Sequence, residues 1–435
     1  MEESDTRYCI RLAKIFIEVF GCSANLADSE IIMGLLNQSG HTISESLEAS
    51  DAVIVLTCTV KTPTEVKVCK RLRELNGLGK PLIVAGCMPK VEADLVRDIA
   101  PKASMVGPNN FLNIIEVLNW ALNGKRIEAV DGEPIDKVLQ KRVRKNPIIH
   151  IAPISTGCQG YCSYCIVKYA RGPLHSFPIH GIVADAKRAI GEGCKEIWVT
   201  AEDTASYDWN GFKLPDVLRN LCNIEGKFYI RVGMMTPNHV KQILEDLIKI
   251  YESEKIFKFL HLPVQSGNDE ILEKMRRNYT IDDFKEIVYV FRSKIPDLSL
   301  STDIICGFPG ETEDQFSDSL RLIDEIKPDV LNISRFWPRP GTEAEKMGGQ
   351  IHGRETKRRS REMSKLWKHI SKENGLKWIG WEGETLIDEV GETGESIGRN
   401  SSYKTIILKE NLRLGDFVRA KVTGAGIGYL KAVRV

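Results

Sequence analysis

Three cysteines in one short turn set the tightest limit on what this 435-residue chain can fold into. Cys158, Cys162 and Cys165 are separated by three and then two residues, in a glycine-rich segment that follows an apolar run. Thiolates are soft ligands of iron–sulfur cubes, which ordinarily take four of them. Three neighbouring thiols can therefore hold three corners of one cube and leave one iron open. The alternative is a structural zinc site, for which His175 supplies a candidate fourth ligand.

The composition indicates a globular chain without a disulfide framework. With 42% hydrophobic and 27% charged residues the chain can bury a core, and its length predicts about two to four domains. Eleven cysteines and an N-terminus without a secretory apolar segment favour metal-binding thiols in a reducing cytoplasm. The apolar runs are far shorter than the roughly 20 residues of a membrane span, so we expect a soluble protein. A net charge of +1 leaves local basic patches for any contact with nucleic acid.

The cysteine loop resembles that of the radical S-adenosylmethionine (SAM) superfamily, both in its spacing and in the aromatic Tyr164 before the last cysteine. The resemblance implies that the open iron of the cluster chelates the amino and carboxylate groups of SAM.

Residues 1–123 predict a small doubly wound α/β domain. Three apolar runs have the continuous hydrophobicity of buried parallel strands: 15–20, 52–56 and 81–85. A cysteine follows each run: Cys22, Cys58 and Cys87. Because parallel strands end at one edge of a sheet, where open α/β folds bind ligands, we expect these thiols to meet in a second metal site. The remaining cysteines are predicted to be packing thiols: Cys9, Cys69, Cys194, Cys222 and Cys306.

Residues 148–375 predict a partial (β/α)6 barrel. Six strand-like segments alternate with amphipathic helices: 148–155, 195–201, 227–234, 257–263, 298–305 and 330–336. Six units are too few to close an eight-stranded barrel, and the chemistry is expected at the C-terminal strand ends. Residues 124–147, which precede this barrel, show no apolar period and predict a solvated linker, although their basic end also suits a phosphate backbone: Lys137, Lys141, Arg142, Arg144 and Lys145.

Polar, glycine-rich segments follow the predicted barrel strands and supply candidate SAM contacts: Tyr164, Glu202, Gln265, Ser266, Asp303, Gly307 and Arg339. A carboxylate such as Glu202 suits the cationic amino group, and Gln265 and Ser266 suit ribose hydroxyls. Asp303 precedes a tight turn at Gly307 that lets backbone approach an adenine ring. Taken singly, each of these residues also fits a solvated loop.

Taken together, the motifs resemble the methylthiotransferase family of radical SAM enzymes over nearly the whole chain. The resemblance rests on the N-terminal segments, the three-cysteine loop, the end of the last barrel strand and a TRAM-like RNA-binding module at 376–435: Gly21–Glu30, Cys58, Gly86–Cys87, Cys158–Cys165 and Arg339–Thr342. That module has the close-spaced strands and glycine turns of a small antiparallel barrel.

The resemblance implies two [4Fe–4S] clusters and SAM. The cluster on Cys158, Cys162 and Cys165 is expected to cleave SAM to a 5′-deoxyadenosyl radical. The second cluster carries the sulfur, methylated from another SAM, that is transferred; its expected ligands are Cys22, Cys58 and Cys87. The radical takes hydrogen from an unactivated C–H bond, which becomes C–S–CH3. General acid–base catalysis cannot open such a bond, because it has no acidic proton and no leaving group.

The segments Cys58–Glu65 and Gly86–Lys90 resemble the archaeal and eukaryotic branch of the family. That branch converts N6-threonylcarbamoyladenosine next to the tRNA anticodon to its 2-methylthio form. The chain lacks a hydrophobic C-terminal tail, which favours the archaeal, soluble and cytoplasmic type. It departs from the family at Leu56, where Asn is common. Alternatives are a methylthiotransferase for a ribosomal-protein aspartate and a non-catalytic, metal-stapled RNA-binding protein.

The expected partners are a tRNA and an electron donor that the sequence does not identify. Two basic groups are candidate contacts for the tRNA backbone. One lies in the C-terminal module: Lys404, Lys409, Arg413, Arg419, Lys421, Lys431 and Arg434. The other lies on the preceding helix, where a solvated face is the alternative: Arg354, Lys357, Arg358, Arg359, Arg361, Lys365 and Lys368.

Overall fold

The computed structural model describes residues 12–60 and 62–435, which divide into two units. The first unit contains the chain up to Ile135 together with residues 140–145 and 166–173, and the second unit contains the rest. Cys9 lies outside the described residues. Among those described, no helix is both long enough and apolar enough to cross a membrane.

The first unit is built on a parallel six-stranded sheet in the order β2-β1-β3-β4-β5-β6. Its strands are β1 (Lys14–Val19), β2 (Thr42–Ser44), β3 (Ala52–Thr57), β4 (Leu82–Gly86), β5 (Ser104–Val106) and β6 (Glu128–Ala129). Its main helices are α1 (Ser23–Gln38), α2 (Thr62–Gly77), α3 (Cys87–Val91), α4 (Ala93–Ile99) and α5 (Ile114–Leu122). The fold class predicted for this part is confirmed.

The central strand β3 explains why this sheet is covered on both faces. All six of its residues are buried. Ile54 and Leu56 pack into one hydrophobic cluster, whereas Val53 and Val55 pack into a second cluster on the opposite face. Side chains alternate along a strand, so a continuous apolar run needs two cores.

Residues 124–147 differ from the expected solvated linker. Within them β6 adds a strand to the sheet, with Glu128 paired to Met105. The side chain of Lys137 is buried, and the backbone N–H groups of Val143 and Lys145 donate to Glu30. A two-residue strand and main-chain hydrogen bonds leave no hydrophobic period, which is why the sequence pattern missed them.

The second unit contains six sequential parallel strands with helices between them. Two three-stranded sheets, β7-β10-β13 and β14-β15-β16, meet at a parallel bridge between Ile230 and Ile256. The strands of this unit up to the C-terminal region, including short antiparallel pairs, are β7 (Ile149–Pro153), β8 (Ser155–Thr156), β9 (His175–Ser176), β10 (Glu196–Thr200), β11 (Asp208–Trp209), β12 (Phe212–Lys213), β13 (Tyr229–Val232), β14 (Phe259–His261), β15 (Ser299–Cys306) and β16 (Val330–Arg335). An open (β/α)6 barrel results, as predicted.

The helices continue the numbering along the chain; α6 belongs to the first unit, and the others surround the barrel strands. They are α6 (Val167–Arg171), α7 (Ile179–Gly191), α8 (Leu214–Cys222), α9 (Pro237–Tyr251), α10 (Asp269–Lys274), α11 (Ile281–Lys294), α12 (Glu313–Ile326), α13 (Glu343–Lys346) and α14 (Gly353–Leu376). Three of the predicted packing thiols, Cys69, Cys194 and Cys306, are buried, and Cys222 is partly buried.

The C-terminal strands close a five-stranded barrel in the order β17-β18-β19-β21-β20. They are β17 (Glu382–Val390), β18 (Ser396–Arg399), β19 (Thr405–Leu408), β20 (Phe417–Ala425) and β21 (Leu430–Arg434).

Polar contacts fasten this small barrel to the (β/α)6 barrel within the second unit. Asn146 Nδ2 donates to the carbonyl of Asp388 (2.7 Å), and Lys258 N donates to that of Ser401 (2.7 Å). Lys404 forms a mostly buried ion pair with Asp329. Closure removes the free strand edges of the small barrel.

The buried carboxyl of Glu30 makes the stability of the first unit dependent on pH. Its Oε1 accepts from Lys145 N at 3.1 Å, and its Oε2 has no hydrogen-bond partner among the described residues. Burial raises the pKa of Glu30 to about 7, and Arg142 and Arg144 oppose that rise. A carboxyl with a higher pKa in the folded state than in the unfolded state favours folding while protonated, and this contribution is lost as the pH rises through 7.

Glu30→Gln is therefore expected to stabilise the protein by about 2 kcal/mol at pH 8.5 and to change little at pH 5. Urea unfolding at the two pH values, followed by fluorescence, measures this difference. The exposed Glu45 provides the control, and Glu45→Gln should behave alike at both pH values. Equal stability of Glu30→Gln and wild type at pH 8.5 would contradict the expectation.

Candidate functional site

The three-cysteine loop turns back on itself at Gly160. Gly160 N donates to Sγ of Cys158 at 3.2 Å. A Cβ added at Gly160 would lie 3.2 Å from Sγ of Cys158 and 3.7 Å from Sγ of Cys162. Cys165 N donates to the carbonyl of Cys162 at 3.1 Å. The two sulfurs thus flank the glycine, and a side chain at position 160 would stand against both.

Ser163 pins this loop to neighbouring helices. Its Oγ donates to the carbonyl of Lys274 at 2.8 Å, and its N–H donates to that of Met275 at 3.1 Å. Ala344 N, in α13, donates to the Ser163 carbonyl at 2.9 Å. These contacts fix the loop between the last cysteines without using their sulfurs.

The electrostatic surroundings of Cys158 disfavour a free thiolate. Burial raises the pKa of this thiol to about 11, the backbone hydrogen bond from Gly160 opposes the rise, and nearby Asp203 and Glu202 add to it. An iron–sulfur core bound at Cys158 would supply the positive countercharge that the thiolate needs, since metal binding couples to thiol deprotonation.

A second group of thiols lies in the first unit, at the carboxyl edge of its sheet. Cys22, Cys58 and Cys87 follow β1, β3 and β4, which are neighbours in that sheet. A Cβ added at Gly21 would lie 2.7 Å from the Cβ of Cys58 and 3.2 Å from its Sγ. Thr57 pairs with Gly86, so Cys58 and Cys87 directly follow the paired last residues of β3 and β4. The register thus brings Cys58 and Cys87 to the same edge of the sheet, and their convergence with Cys22 on one metal site stays a prediction.

Asn25 holds the turns that precede two of these cysteines, a role that the sequence analysis missed. Its Nδ2 donates to the carbonyls of Phe20 and Thr57, both at 2.8 Å. Arg171 donates to Oδ1 of Asn25 at 2.8 Å and to Asp28 at 3.1 Å. Leu56, where the family commonly has Asn, points into the core instead. The side-chain support next to Cys58 therefore comes from Asn25.

Neither group of thiols forms a ready mononuclear site. Among the residues that the structure describes, no three Cys, His, Asp or Glu side chains converge closely enough to coordinate one ion. His175, the candidate zinc ligand, pairs with Asp136 at 2.8 Å. A four-iron cube distributes its thiolates over separate irons, whereas one zinc ion draws all its ligands to about 2.3 Å. Thiolates are the ligands that such a cube takes, so the chemistry of both donor sets fits it.

Hydrogen bonds from neighbouring segments hold the rim residues Gln265, Ser266 and Asp303. Gln265 has a left-handed backbone (φ 73°), and its N–H donates to the carbonyl of Asp303 at 2.8 Å. The carboxylate of Asp303 accepts from Nε2 of His261 (3.0 Å) and Nδ2 of Asn332 (2.7 Å). Left-handed backbone at a non-glycine residue costs on the order of 1 kcal/mol and is concentrated at ligand sites. The fully buried Ser266 accepts from Asn268 N at 3.3 Å.

The two acidic residues after β10 have different surroundings. Asp203 accepts hydrogen bonds from the backbone N–H groups of Ala205 and Thr236 and from Nδ1 of His239. The sequence analysis did not assign Asp203 this structural role. Glu202 lies partly buried beside Cys158, and its negative charge contributes to the raised pKa of that thiol. Glu202 stays the candidate for binding the cationic amino group of SAM.

A buried ion pair shapes the turn after β15. Gly307 (φ 81°) donates its N–H to Oε2 of Glu311 at 2.7 Å, and Nη1 of Arg359 donates to the same oxygen at 2.8 Å. A Cβ added at Gly307 would lie 2.4 Å from Cγ2 of Thr356, so α14 packs directly on the glycine. Phe308 follows and meets the ring of Tyr164 edge-on, with 6.4 Å between centroids.

Arg339 is buried at the end of the last barrel strand, and its carbonyl accepts from N and Oγ1 of Thr342. The structure therefore places the candidate SAM residues at the carboxyl ends of the barrel strands and in the adjoining loops. Their contacts with SAM stay predictions.

Comparisons with known proteins agree with this architecture. Family models match residues 152–323 (Radical SAM superfamily), 379–435 (TRAM domain) and 14–107 (Uncharacterized protein family UPF0004). The solved radical S-adenosylmethionine methyltransferase TsrM from Kitasatospora setae superposes with a TM-score of 0.59 at 12% identity, over 77% of this chain and 74% of that one. The cobalamin-dependent radical enzyme OxsB gives 0.53 at 10% identity, over 83% and 57%. The fold and site define a radical SAM protein with a TRAM domain.

Full-length relatives identify the family within that class. A Pyrococcus horikoshii protein named "Probable threonylcarbamoyladenosine tRNA methylthiotransferase" is 43% identical over 96% of this chain and 99% of its own length. The Homo sapiens protein named "Threonylcarbamoyladenosine tRNA methylthiotransferase" is 33% identical over 97% of this chain and 74% of its own length. The chain belongs to the threonylcarbamoyladenosine tRNA methylthiotransferase family.

The Glu311–Arg359 pair is expected to carry much of the stability of the rim. Arg359→Met leaves a buried carboxylate without its cation and should cost about 3 kcal/mol in urea unfolding. The neighbouring Arg358, whose pairs with Glu313 and Glu355 are exposed, is the control; Arg358→Met should cost less than about 1 kcal/mol. The double change Glu311→Gln/Arg359→Met should recover part of the loss. An equal cost at both arginines would refute this role.

Proposed function

We propose that this protein is a tRNA methylthiotransferase that converts N6-threonylcarbamoyladenosine next to the anticodon to its 2-methylthio form. The observation that carries the proposal is the pair of three-thiol groups, each following strands of a parallel sheet and each one ligand short of a four-iron cube. The names of the relatives that match nearly the whole chain support a tRNA target over the alternative of a ribosomal-protein aspartate. Each group would hold one [4Fe–4S] cluster: Cys158, Cys162 and Cys165 the first, and Cys22, Cys58 and Cys87 the second.

When bound, the clusters and SAM supply reductive SAM cleavage, the radical and the sulfur that is transferred. The protein supplies orientation and the exclusion of water. In this proposal Glu202 binds the amino group of SAM, and Gln265 and Ser266 bind its ribose. Asp303, already oriented by two hydrogen bonds, and the turn at Gly307 border the adenine. Tyr164 and Arg339 are the remaining proposed SAM contacts at the rim.

Separate roles for the two thiol groups give the first test. Cys22→Ala, Cys58→Ala and Cys87→Ala should each abolish methylthiolation of tRNA and leave 5′-deoxyadenosine formation measurable. Cys162→Ala should abolish both. Iron should fall from about eight per chain to about four in a triple variant of either group, given two four-iron clusters. Loss of SAM cleavage in the first three variants with the first cluster intact would refute the division.

The structure narrows the surface proposed for the tRNA backbone on α14. Arg358 is tied to Glu355, Glu362 and Glu313, and Arg359 is buried against Glu311. These carboxylate partners make both arginines weaker candidates for a phosphate contact than the exposed cations of the same helix that have no such partner among the described residues. Glu355 and Glu362 lie three and four residues from Arg358 on the same helix, whereas Glu313 of α12 and Glu311 just before it are brought to the arginines only by the fold.

Three of the exposed cations of α14 lie together at a groove. Arg361, Lys365 and Lys368 line a groove of about 500 Å³ with Ser360, Ser364 and Ile333. The three are exposed, and no acidic partner contacts them within the described part of the chain. At spacings of four and three residues they share one helix face. Free cations beside hydroxyl donors suit a phosphate backbone.

Similar sorting applies to the C-terminal barrel. Lys404 forms an ion pair with Asp329, and Arg419 forms one with Glu382. We therefore do not include these two cations among the proposed contacts with the tRNA backbone. The remaining exposed cations are Lys409, Arg413, Lys421, Lys431 and Arg434.

The groove predicts a specific binding defect. Replacing Arg361, Lys365 and Lys368 together by Gln should raise the KM for tRNA about tenfold or more. The slope of log binding constant against log salt concentration should fall in magnitude by about two to three, because about two to three phosphate contacts are lost. SAM cleavage without tRNA should not change. Arg358→Gln is the matched control, since its charge is already neutralised, and should leave KM nearly unaltered. A triple variant with wild-type KM and salt slope would remove this face from the proposal.

A further inference from the structure

A cation faces the three-cysteine loop from the turn after α10. Nη1 of Arg277 donates a hydrogen bond to Sγ of Cys162 at 3.2 Å. Its Nε donates to the hydroxyl of Tyr279 at 2.9 Å, and its Nη2 donates to the carbonyl of Pro263 at 3.4 Å. The guanidinium also lies 5.1 Å from the centroid of the Tyr279 ring. Several groups thus hold it against the sulfur.

Tyr279 is itself fixed, which makes this arrangement rigid. Its ring is buried, and its hydroxyl donates to the carbonyl of Val264 at 2.8 Å. The hydroxyl hydrogen is therefore used, and the oxygen is left to accept from Arg277. Within the described residues no carboxylate pairs with Arg277, so Cys162 is the group at hydrogen-bond distance best able to carry a balancing negative charge.

The adjacent arginine has a different environment. Arg276 is exposed, and its Nη2 pairs with Glu343 at 2.8 Å. Two neighbouring residues of the same type therefore differ in one respect that matters here, namely contact with a cysteine sulfur. This contrast supplies an internal control.

We propose that Arg277 is a positioning residue that raises the reduction potential of the cluster bound at Cys162. The inference rests on the proposed function, in which Cys162 is a cluster ligand. When one electron enters the cluster, no bond forms or breaks, and negative charge on the cluster and its sulfurs increases. A fixed cation that donates an N–H to a ligand sulfur stabilises the reduced form more than the oxidised form. Arg277 therefore makes it easier for the cluster to take up the electron that SAM cleavage requires.

The test is a redox titration of the reconstituted full-length protein with dithionite, monitored by electron paramagnetic resonance. Cys22→Ala, Cys58→Ala and Cys87→Ala in the parent leave one cluster to observe. Arg277→Met should shift the midpoint potential to a more negative value with about four iron per chain retained. Arg277→Lys, which keeps the charge, should shift it less. Arg276→Met should leave it unchanged.

Tyr279→Phe keeps the inference testable if Arg277→Met does not retain iron. It removes the oxygen that accepts from Nε and should give a smaller shift in the same direction. Potentials equal to the parent in the iron-bearing variants would overturn the inference, as would an equal shift in Arg276→Met or a change confined to SAM affinity. A parent that holds neither iron nor sulfide would instead refute the proposed function.

Discussion

Parallel strand pairing is the constraint on which the rest of this molecule depends. In a parallel sheet every strand delivers its carboxyl end to the same edge, with neighbours only about 4.8 Å apart. Cys58 and Cys87 belong to separate βα units, yet the register of β3 and β4 makes them the next residues of adjacent strands. The barrel uses the same rule for its rim. Chemistry scattered along the sequence is thereby gathered without any local motif.

Charged groups at the rim serve mainly to hold backbone in place. Arg359 and Glu311 fix the turn at Gly307, and Asp203 gathers two backbone N–H groups and His239. These buried charges have partners at hydrogen-bond distance, as the cost of burying an isolated charge demands. The rim is thus organised by the protein's own interactions, which limits the rearrangement needed when SAM binds.

The sequence predicts the parts of this fold that depend on local pattern. Continuous apolar runs such as 52–56 identify buried strands, and the spacing of Cys158, Cys162 and Cys165 identifies the cluster loop. It misses what depends on distant partners. Arg277 reaches Cys162 across 115 positions, and nothing in the sequence shows that Arg359 is buried against Glu311. Composition registers a charge; only the fold shows whether that charge is already neutralised.

The attachment of the C-terminal barrel has a geometric consequence. The main-chain hydrogen bond from Lys258 to Ser401 and the ion pair between Lys404 and Asp329 fasten it to the larger barrel. A module held in this way keeps a fixed distance from the larger barrel and does not move on a flexible linker. The span from its cationic surface to the rim of the larger barrel is therefore set by the fold.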